Sequence, residues 1–498
     1  MSQQRNILTN PCWRAEDLGT ALPDSEHAVS VALPTWADCV GYEEGDPRVI
    51  NALQAGYPRF VTHPVVQACQ RALAQQQGLD MDGMTLAPSP YAAHVAANYV
   101  RAHGHAVSVR DAGAAHVQIL LHDPAARPLL RQAWQHCGIL PSSRQCQAVL
   151  DGVPDQPALA KEAVAQVRAL LASWYACDPQ RIWLGASGMA SIAHVLRALG
   201  HLKPGCPTLQ LGFPYVDLLK VQQRFGCDVT FISGTDQQAL DQVSLALQQR
   251  SYAAVFVEVP GNPLLTTPDI VQLAQICRQA GVPLVVDDTV ASPLNVDVLS
   301  HATVVVDSLT KYVVGRGDVM AGAAVVNPQA PQARALAAAM QAEDDPEALW
   351  WQDAAALAER AQEYPQRIAR INANAAVLVQ RLRRHPAVAD LYYPDQCANY
   401  RRLLRPQGGF GGLCSLVLHD GARWAPQVYD GMQVNKGPSL GTDFTLACPF
   451  TLLAHYRELE WAESCGVSRW LIRLAIGIED PELLWQRVLA GLEQVQGT

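Results

Sequence analysis

The middle of the chain alternates short apolar runs with amphipathic segments. Runs such as TLQLGF, AAVFVEV, PLVVDD and TVVVDS are short and rich in β-branched residues, which is typical of buried strands. The segments between them, such as VDLLKVQQRFG and IVQLAQICRQAG, repeat apolar residues every three or four positions, which predicts helices. Strands that alternate with helices in this way predict an α/β domain built on a mostly parallel sheet.

The pattern changes along the chain and divides it into four predicted parts. Residues 1–60 are irregular, with proline and glycine punctuation, which indicates an extended arm rather than a domain. Residues 61–165 alternate helix-like stretches with short strand candidates and predict an additional α/β region whose role the sequence does not specify. Residues 166–345 form the predicted large domain. Residues 346–498 begin with a long helical stretch and predict a smaller α+β C-terminal domain.

Composition narrows the class of partner. Hydrophobic residues make up 49% of the chain and charged residues 17%, so large buried cores are expected. The formal net charge of -9 disfavours nucleic acid or an anionic membrane as the main partner. No apolar run reaches the roughly 18 residues of a spanning helix, and the N-terminus lacks the pattern of a signal peptide. We therefore expect a cytoplasmic protein that binds a small molecule.

The thirteen cysteines do not indicate a disulfide framework. They are scattered, their number is odd, and none form a C-x-x-C pair. Reduced thiols in a cytoplasmic protein are the expected state. We expect no metal site.

Two features at predicted strand ends are candidates for binding a charged ligand. The segment 186–190, ASGMA, follows a strand and opens a helix, so its backbone N–H groups can approach a phosphate. Asp287 and Asp288 end a β-branched strand, where a buried carboxylate can stabilise a protonated ring nitrogen. Taken alone, each has a plainer explanation, namely a glycine at an ordinary strand–helix turn and a helix cap.

Two cationic residues complete the pattern. Lys311 follows an apolar strand and stands beside the hydroxyls of Ser308 and Thr310, where it can form a Schiff base with an aldehyde. Arg473 lies in the apolar run WLIRLAIG and needs an anionic partner if it is buried. A lone lysine is normally solvated, and Arg473 can also face solvent on an edge strand. The four features together, in this order, favour a single cofactor site.

The run VPLVVDDTVASP, followed by VVVDSLTKYVVGRGDVMAGAAVV, resembles the signature of the Cys/Met-metabolism enzymes that use pyridoxal phosphate (PLP). That family includes cystathionine γ-synthases and lyases, methionine γ-lyases and homoserine-ester sulfhydrylases. The segments HAVSVALPTW, VGYEEG, GYPRF, LGFPYVD and KGPSLGTDFTLACPFTLLAHY resemble more narrowly the cystathionine γ-synthases of fungal type, as does the additional region 61–165. The resemblance implies the PLP-dependent transferase fold of type I, which is aspartate-aminotransferase-like.

The resemblance also implies roles for individual residues. Lys311 would form the Schiff base and shuttle protons, and Asp287 would pair with the pyridine nitrogen. Arg473, with Ser439 alongside, would bind the substrate carboxylate. The further cofactor contacts that it implies are Gly188 and Met189 (backbone to phosphate), Ser308 and Thr310 (hydroxyls to phosphate), Asn262 (near the ring hydroxyl), Tyr215 (ring stacking and catalysis), and Tyr57 and Arg59 (phosphate of a neighbouring subunit).

Three departures from the family pattern leave alternatives open. Tyr215 stands in Gly-Phe-Pro-Tyr rather than the usual Tyr-Gly-Gly-Thr, so Phe213 is a rival for the stacking ring. Pro438 precedes Ser439, where ordinary bacterial γ-synthases have a glutamate. Arg144 lies closer in sequence to the phosphate loop than Arg59 and is a second candidate for the arginine from the neighbouring subunit.

The expected reaction is γ-replacement, in which an O-acyl-homoserine and cysteine give cystathionine. The close alternative is a γ-lyase of secondary metabolism, such as one that removes chloride from γ-chloro-allylglycine to give propargylglycine. A non-catalytic protein on a PLP-enzyme fold is a minor alternative. Because residues 1–60 would reach across to a neighbour, we expect a homodimer as the minimal active unit and a homotetramer as the usual assembly.

Overall fold

The N-terminal segment packs against the C-terminal part of the same chain. The computed structural model describes residues 5–345 and 348–495. Val31, Leu33 and Trp36 share a hydrophobic core with the C-terminal sheet, and the Nζ atom of the buried Lys436 donates to the carbonyl oxygen of Pro34 at 2.9 Å. The elements here are β1 (Ala21–Leu22), β2 (Ser30–Val31), α1 (Trp36–Glu44) and α2 (Pro47–Ile50).

Within one chain, the described part of the predicted arm, residues 5–60, folds back onto the C-terminal domain. Several of its apolar residues, among them Val31, Leu33 and Val49, are buried there, which removes their apolar surface from water. Contact of this segment with a second subunit stays a prediction.

The next region forms a small layer beside the large domain. Its three antiparallel strands have the order β3–β5–β4, and its helix α5 contacts α8 and α9 of the large domain. The elements are α3 (Pro64–Gln77), β3 (Met84–Ala87), α4 (Pro90–Ala102), β4 (Val107–Asp111), β5 (Gln118–His122), α5 (Arg127–Cys137) and α6 (Ser143–Asp151), followed in the large domain by α7 (Pro157–Tyr175), β6 (Ile182–Gly185), α8 (Gly188–Leu202), β7 (Thr208–Leu211) and α9 (Val216–Phe225).

The large domain contains a seven-stranded sheet that is mostly parallel, as its apolar runs predict. The strand order is β6–β12–β11–β10–β9–β7–β8, and only β12 runs antiparallel to its neighbours. Asp287 and Asp307 are the last residues of β10 and β11, so both lie at the carboxyl edge of the sheet, where such folds bind ligands. The remaining elements are β8 (Val229–Ile232), α10 (Gln237–Gln249), β9 (Ala254–Glu258), α11 (Ile270–Ala280), β10 (Leu284–Asp287), β11 (Val304–Asp307), β12 (Gly322–Val326) and α12 (Ala333–Ala342).

The C-terminal part is built on a five-stranded sheet of order β13–β14–β17–β16–β15. Its elements are α13 (Trp351–Ala361), α14 (Tyr364–Leu382), β13 (Val388–Tyr392), α15 (Ala398–Arg401), β14 (Leu413–Leu418), α16 (Gly421–Gly431), β15 (Asn435–Lys436), β16 (Leu446–Pro449), α17 (Phe450–His455), α18 (Leu459–Ser464), β17 (Ile472–Ala475) and α19 (Pro481–Leu492).

The helix α13 belongs by its packing to the large domain. It lies against α7, and Ala354, Leu357 and Ala358 are buried in the large-domain core. The predicted boundary at residue 346 therefore lies before α13, although α13 still packs in the core of the large domain. Of the helices in the described residues, none is both long and apolar enough to cross a membrane.

Candidate active site

A cavity of about 760 Å³ lies at the carboxyl edge of the large sheet. Its walls come from the N-terminal segment, the additional region 61–165, the large domain and the C-terminal domain of one chain. Most of the side chains singled out from the sequence line it: Tyr57, Arg59, Gly188, Met189, Tyr215, Asn262, Asp287, Ser308, Lys311, Ser439 and Arg473.

Lys311 occupies the turn that follows β11 and points into the cavity. Its Nζ atom donates to Oγ of Ser439 at 3.2 Å and lies 4.4 Å from the centre of the Tyr57 ring. Burial lowers the pKa of Lys311, and the charges of Arg59 and Arg473 act in the same direction, while Tyr57 opposes them. A lysine with a lowered pKa is more often the neutral amine that attacks an aldehyde.

The start of α8 has a geometry that suits a phosphate. Oγ of Ser187 caps the helix by accepting from N of Ala190 at 3.1 Å. A Cβ atom on Gly188 would lie 2.6 Å from Cβ of Ser308, so only glycine allows this close approach. The free N–H groups of the first turn and the helix dipole favour an anion here.

The hydroxyl groups of Ser308 and Thr310, both predicted to contact the phosphate, lie in different surroundings. Ser308 lines the cavity, and its backbone N–H donates to Oγ1 of Thr289 at 2.9 Å. Thr310 does not line the cavity, and its hydroxyl is held by the backbone of Ala321, at 3.2 Å as donor and 3.0 Å as acceptor. The hydroxyl of Thr310 thus closes a backbone turn, and its predicted contact with the phosphate stays a prediction. Thr289, which the sequence analysis missed, faces the cavity instead.

Asp287 places a carboxylate in the cavity without a cationic partner among the described residues. Its Oδ1 atom accepts from N of Thr289 at 3.0 Å, and burial raises its pKa. Glu258 ends the neighbouring strand and accepts from the backbone N of Tyr215 at 2.6 Å and of Asn262 at 3.2 Å. Burial, together with the charge of Asp287, raises the pKa of Glu258. A protonated ring nitrogen would supply the positive partner that Asp287 lacks.

The position of Glu258 at the end of an apolar run marks it as a candidate site residue by the same criterion as Asp287. The residue ends the apolar run AAVFVEV in the way that Asp287 ends PLVVDD.

Arg473 provides an open anion site on β17. Nη1 donates to Oδ1 of Asn262 at 3.2 Å, and Nη2 donates to the carbonyl oxygen of Ser439 at 2.7 Å. Its Nε atom is buried and has no hydrogen-bond partner within residues 5–345 and 348–495, and the guanidinium lies 4.9 Å from the centre of the Phe450 ring. Burial lowers its pKa. Because no carboxylate of the described residues pairs with it, a carboxylate ligand fits this position.

Arg59 enters the cavity of its own chain and is already paired. Nη1 donates to Oδ2 of Asp217 at 2.6 Å and to the carbonyl oxygen of Gln135 at 2.6 Å, and Nη2 donates to the hydroxyl of Tyr215. Burial acts to raise the pKa of Asp217, but Arg59 and His136, whose Nδ1 lies 3.0 Å away, lower it to about 2.

Within one chain, Tyr57 and Arg59 line this cavity, and their predicted contact with the phosphate of a neighbouring subunit stays a prediction. The fold-back of the N-terminal segment onto its own chain places them there. The rival Arg144 is held elsewhere, by Oδ1 of Asp353 at 3.1 Å and by Oδ2 of Asp318 at 3.3 Å. Of the two arginines, only Arg59 lines the cavity.

The two candidate stacking rings lie in different surroundings. Tyr215 lines the cavity. Phe213 is buried in a separate aromatic cluster, 5.1 Å from His455 and 5.2 Å from Trp461 between ring centres. The geometry favours Tyr215 as the ring that can face a cofactor.

The residues present fit pyridoxal phosphate. The helix start at Gly188 suits its phosphate, the unpaired Asp287 suits its ring nitrogen, and Lys311 with its lowered pKa suits its aldehyde. The open guanidinium of Arg473 suits the carboxylate of an amino-acid substrate. Each group of the cofactor thus finds a chemically matched partner on one side of the same cavity.

Comparison with known proteins agrees with this assignment. The family model for Cys/Met metabolism PLP-dependent enzymes matches residues 178–493. Cystathionine gamma-synthase of Neurospora crassa is 31% identical over 94% of this chain and 96% of its own length. L-2-amino-4-chloropent-4-enoate dechlorinase/desaturase of Streptantibioticus cattleyicolor is 36% identical over 93% of this chain and 95% of its own length.

A solved structure shows the same fold. Cystathionine gamma synthase of Xanthomonas oryzae pv. oryzae, in complex with aminoacrylate and cysteine, superimposes with a TM-score of 0.58 at 26% identity and covers 65% of this chain and 83% of its own. The α/β fold class predicted from the sequence is confirmed. With its relatives among the γ-synthases and γ-lyases, the chain belongs to the Cys/Met metabolism PLP-dependent enzymes.

Proposed function

We propose that this enzyme catalyses γ-elimination on an amino acid with a small leaving group on its γ-carbon, of the type of L-2-amino-4-chloropent-4-enoate. The observation that carries the proposal is the apolar wall beside Arg473, where the substrate side chain would lie. The 36% identical relative, which is named for dechlorination of that amino acid, supports the same choice.

Ser439 fixes the distance between the two groups that would hold an α-amino acid. Its hydroxyl accepts from Nζ of Lys311, and its carbonyl oxygen accepts from Nη2 of Arg473. An α-carboxylate at Arg473 therefore brings the α-carbon towards Lys311. Fixing both ends of the reacting unit in this way orients the Cα–H bond for removal by the lysine.

The wall next to these anchors offers little to a second amino acid or to an acyl group. It consists of residues without charged side chains, namely Pro438, Leu440, Cys448, Phe450, Leu453 and Ala454. Pro438 also replaces the glutamate expected before Ser439 in bacterial γ-synthases. A chlorinated vinyl side chain gains by leaving water for such a wall, whereas an ester or a zwitterion would lose hydrogen bonds there.

The cofactor and the protein would contribute different parts of the reaction. Pyridoxal phosphate, when bound, supplies an electron sink for the bonds broken next to the amino group. Nζ of Lys311 removes the proton from the α-carbon and returns it at the end. Loss of a proton from the β-carbon supplies the electron pair that expels chloride from the γ-carbon, and chloride leaves with the electron pair of the C–Cl bond. The terminal carbon then loses one proton while a proton returns to the β-carbon. The net change is loss of HCl, which leaves the terminal alkyne propargylglycine.

The second candidate is γ-replacement, in which an O-acyl-homoserine and cysteine give cystathionine. The specific observation in its favour is the charged outer part of the same cavity, lined by Glu43, Arg131, Arg224 and Arg457. Glu43 and Arg457 together could hold the ammonium and carboxylate of a second amino acid. The Neurospora relative, which is named a cystathionine gamma-synthase, supports this candidate.

One experiment separates the two reactions. The purified, PLP-loaded enzyme is incubated with L-2-amino-4-chloropent-4-enoate, and separately with O-acetyl- or O-succinyl-homoserine plus cysteine, and products are identified by mass spectrometry. We expect chloride and propargylglycine from the first mixture. Cystathionine from the second mixture, without chloride release from the first, would overturn the proposal in favour of γ-replacement. Lys311→Ala serves as the inactive control.

The assembly and location of the enzyme remain predictions. We propose a homodimer or homotetramer, as the family resemblance implies, and a cytoplasmic location. Analytical ultracentrifugation of the loaded enzyme tests the first.

A further inference from the structure

Three buried side chains form a hydrogen-bonded group beside Asp287. The hydroxyl of Tyr175, the last residue of α7, lies 3.0 Å from both carboxyl oxygens of Asp288 and 3.3 Å from Oδ2 of Asp307. Asp288 is completely buried, while Asp307 lines the cavity together with Asp287. We call Tyr175, Asp288 and Asp307 the carboxyl cluster.

The geometry of the carboxyl cluster requires a shared proton. A tyrosine hydroxyl has one proton to donate, and an ionised carboxylate can only accept. If both aspartates were ionised, one of them would face the lone pairs of Tyr175 without a proton between the oxygens. A proton on one carboxyl removes this conflict, because that carboxyl then donates to the Tyr175 oxygen while Tyr175 donates to the other.

The charges around the carboxyl cluster also favour a protonated carboxyl. No lysine, arginine or histidine among the described residues forms an ion pair with Asp287, Asp288 or Asp307. Three ionised carboxylates at the ends of two neighbouring strands would repel one another strongly in a buried site. A pyridinium nitrogen can balance only one of them, so the others are stabilised as neutral acids.

We propose that the carboxyl of Asp307 gains and loses a proton through the cavity, whereas Asp288, which is linked to it through Tyr175, stays protonated. The charge on Asp307 would then determine the electrostatic environment of Asp287 and of the ring nitrogen. Asp307 is then a positioning residue that acts through Asp287. This inference rests on the role proposed for Asp287 at the cofactor ring.

The titratable groups around Asp307 come from three elements and from the residue that follows one of them. Asp287 and Asp288 come from β10 and the residue after it, Tyr175 from α7 and Tyr364 from the start of α14. Burial, followed by the charge of Asp287, raises the pKa of Asp307 to about 7, and the hydrogen bond from Tyr175 opposes this. Burial and the charge of Asp307 raise the pKa of Asp288 well above its ordinary value.

The sign of the effect follows from these directions. In this proposal, the proton lost as the pH rises through about 7 comes from Asp307, which lines the cavity, and the completely buried Asp288 keeps its proton. The added negative charge near Asp287 stabilises the proton on the ring nitrogen. The absorption spectrum of the bound cofactor should therefore change near neutral pH, and this transition should arise from the titration of Asp307.

The test is a pH titration of the absorption spectrum of the PLP-loaded enzyme and three variants. Asp307→Asn fixes the neutral form and should abolish the transition near pH 7. Asp288→Asn should keep it, because Asp288 is already neutral. The matched control is Asp297→Asn, because the carboxyl of Asp297 is solvent-exposed and lies between β10 and β11. This variant should behave as the wild type. A transition unchanged in Asp307→Asn would overturn the proposal.

Two further measurements keep the test decisive if Asp307→Asn does not fold. Tyr175→Phe removes the hydrogen bond that lowers the pKa of Asp307, so the transition should move to higher pH, and an unmoved transition would contradict the proposal. Infrared difference spectra of the wild type across the transition should show loss of a protonated carboxyl.

Asp287→Asn separates the two hypotheses. If it retains the cofactor with unchanged spectrum and affinity, the role of Asp287 fails. If it weakens binding while Asp307→Asn leaves the titration unchanged, only the role of the carboxyl cluster fails.

Discussion

The Nζ atom of Lys311 lies 3.2 Å from Oγ of Ser439, whose carbonyl oxygen accepts a hydrogen bond from Arg473. One residue of the C-terminal domain thus connects the amine of the large domain with the guanidinium of the small one. The relationship sets where the amino group and the carboxylate of a substrate can lie.

Arg473→Met should impair substrate binding and spare cofactor binding. The substitution removes the buried guanidinium proposed to bind the α-carboxylate, and loss of a buried charged hydrogen-bond partner should lower kcat/KM by about 100-fold or more. The absorption spectrum of the bound cofactor should not change. Steady-state kinetics measure the effect, and Arg469→Met, which breaks an exposed pair with Glu463, is the control. Equal losses in both variants would contradict the assigned role.

Gly188→Ala should weaken cofactor binding. Its new Cβ would lie 2.6 Å from Cβ of Ser308 and would push the start of α8 away from the phosphate position. Overpacking of this size should raise the dissociation constant of PLP by about 10- to 100-fold. Gly200→Ala is the matched control, because it lies on the same helix and its Cβ would meet nothing within 4 Å. Equal affinity of both variants, measured by fluorescence titration, would argue against a phosphate at this helix end.

Asp217→Asn should destabilise the fold. The substitution leaves the buried guanidinium of Arg59 without its charged partner, which costs about 3–5 kcal/mol of unfolding free energy. Urea denaturation at neutral pH measures the loss. Asp395→Asn, which breaks a more exposed pair with Arg383, should cost about 1 kcal/mol or less.

The difference between wild type and Asp217→Asn should also depend on pH. The pKa of Asp217 is lowered to about 2 in the folded state, from an ordinary value of 3.8. The stabilisation by the charged pair is therefore complete above about pH 4 and is lost as the pH falls through about 2. Denaturation at several pH values should show a constant difference from neutral pH down to about pH 5. A difference that vanishes already in that range would contradict the buried pair.

The features predicted well from the sequence are those set by nearby residues. Asp287 ends a strand, Gly188 and Lys311 each follow one, and parallel strands bring their carboxyl ends to one edge of a sheet. Short apolar runs therefore located both the sheet and most of the cavity. The same reasoning would have found Glu258.

The features that the sequence did not predict depend on contacts between distant segments. The Nζ atom of Lys436 donates a hydrogen bond to the carbonyl oxygen of Pro34, so the described part of the N-terminal segment, residues 5–60, folds back onto its own chain. Asp217 meets Arg59 across 158 positions of sequence. The direction of the Thr310 hydroxyl depends on a backbone turn to Ala321, which residue spacing does not determine. Pattern reasoning identifies elements, and long-range packing decides which side chains meet.

The most direct measurement is borohydride reduction of the PLP-loaded enzyme followed by peptide mass spectrometry. The chain has only five lysines, at positions 161, 203, 220, 311 and 436, so the label identifies its site without ambiguity. We predict that the reduced cofactor is found on Lys311 alone, and that Lys311→Ala carries no label. A label on any other lysine, or none on the wild-type enzyme, would contradict the assignment of Lys311 as the residue that binds the cofactor.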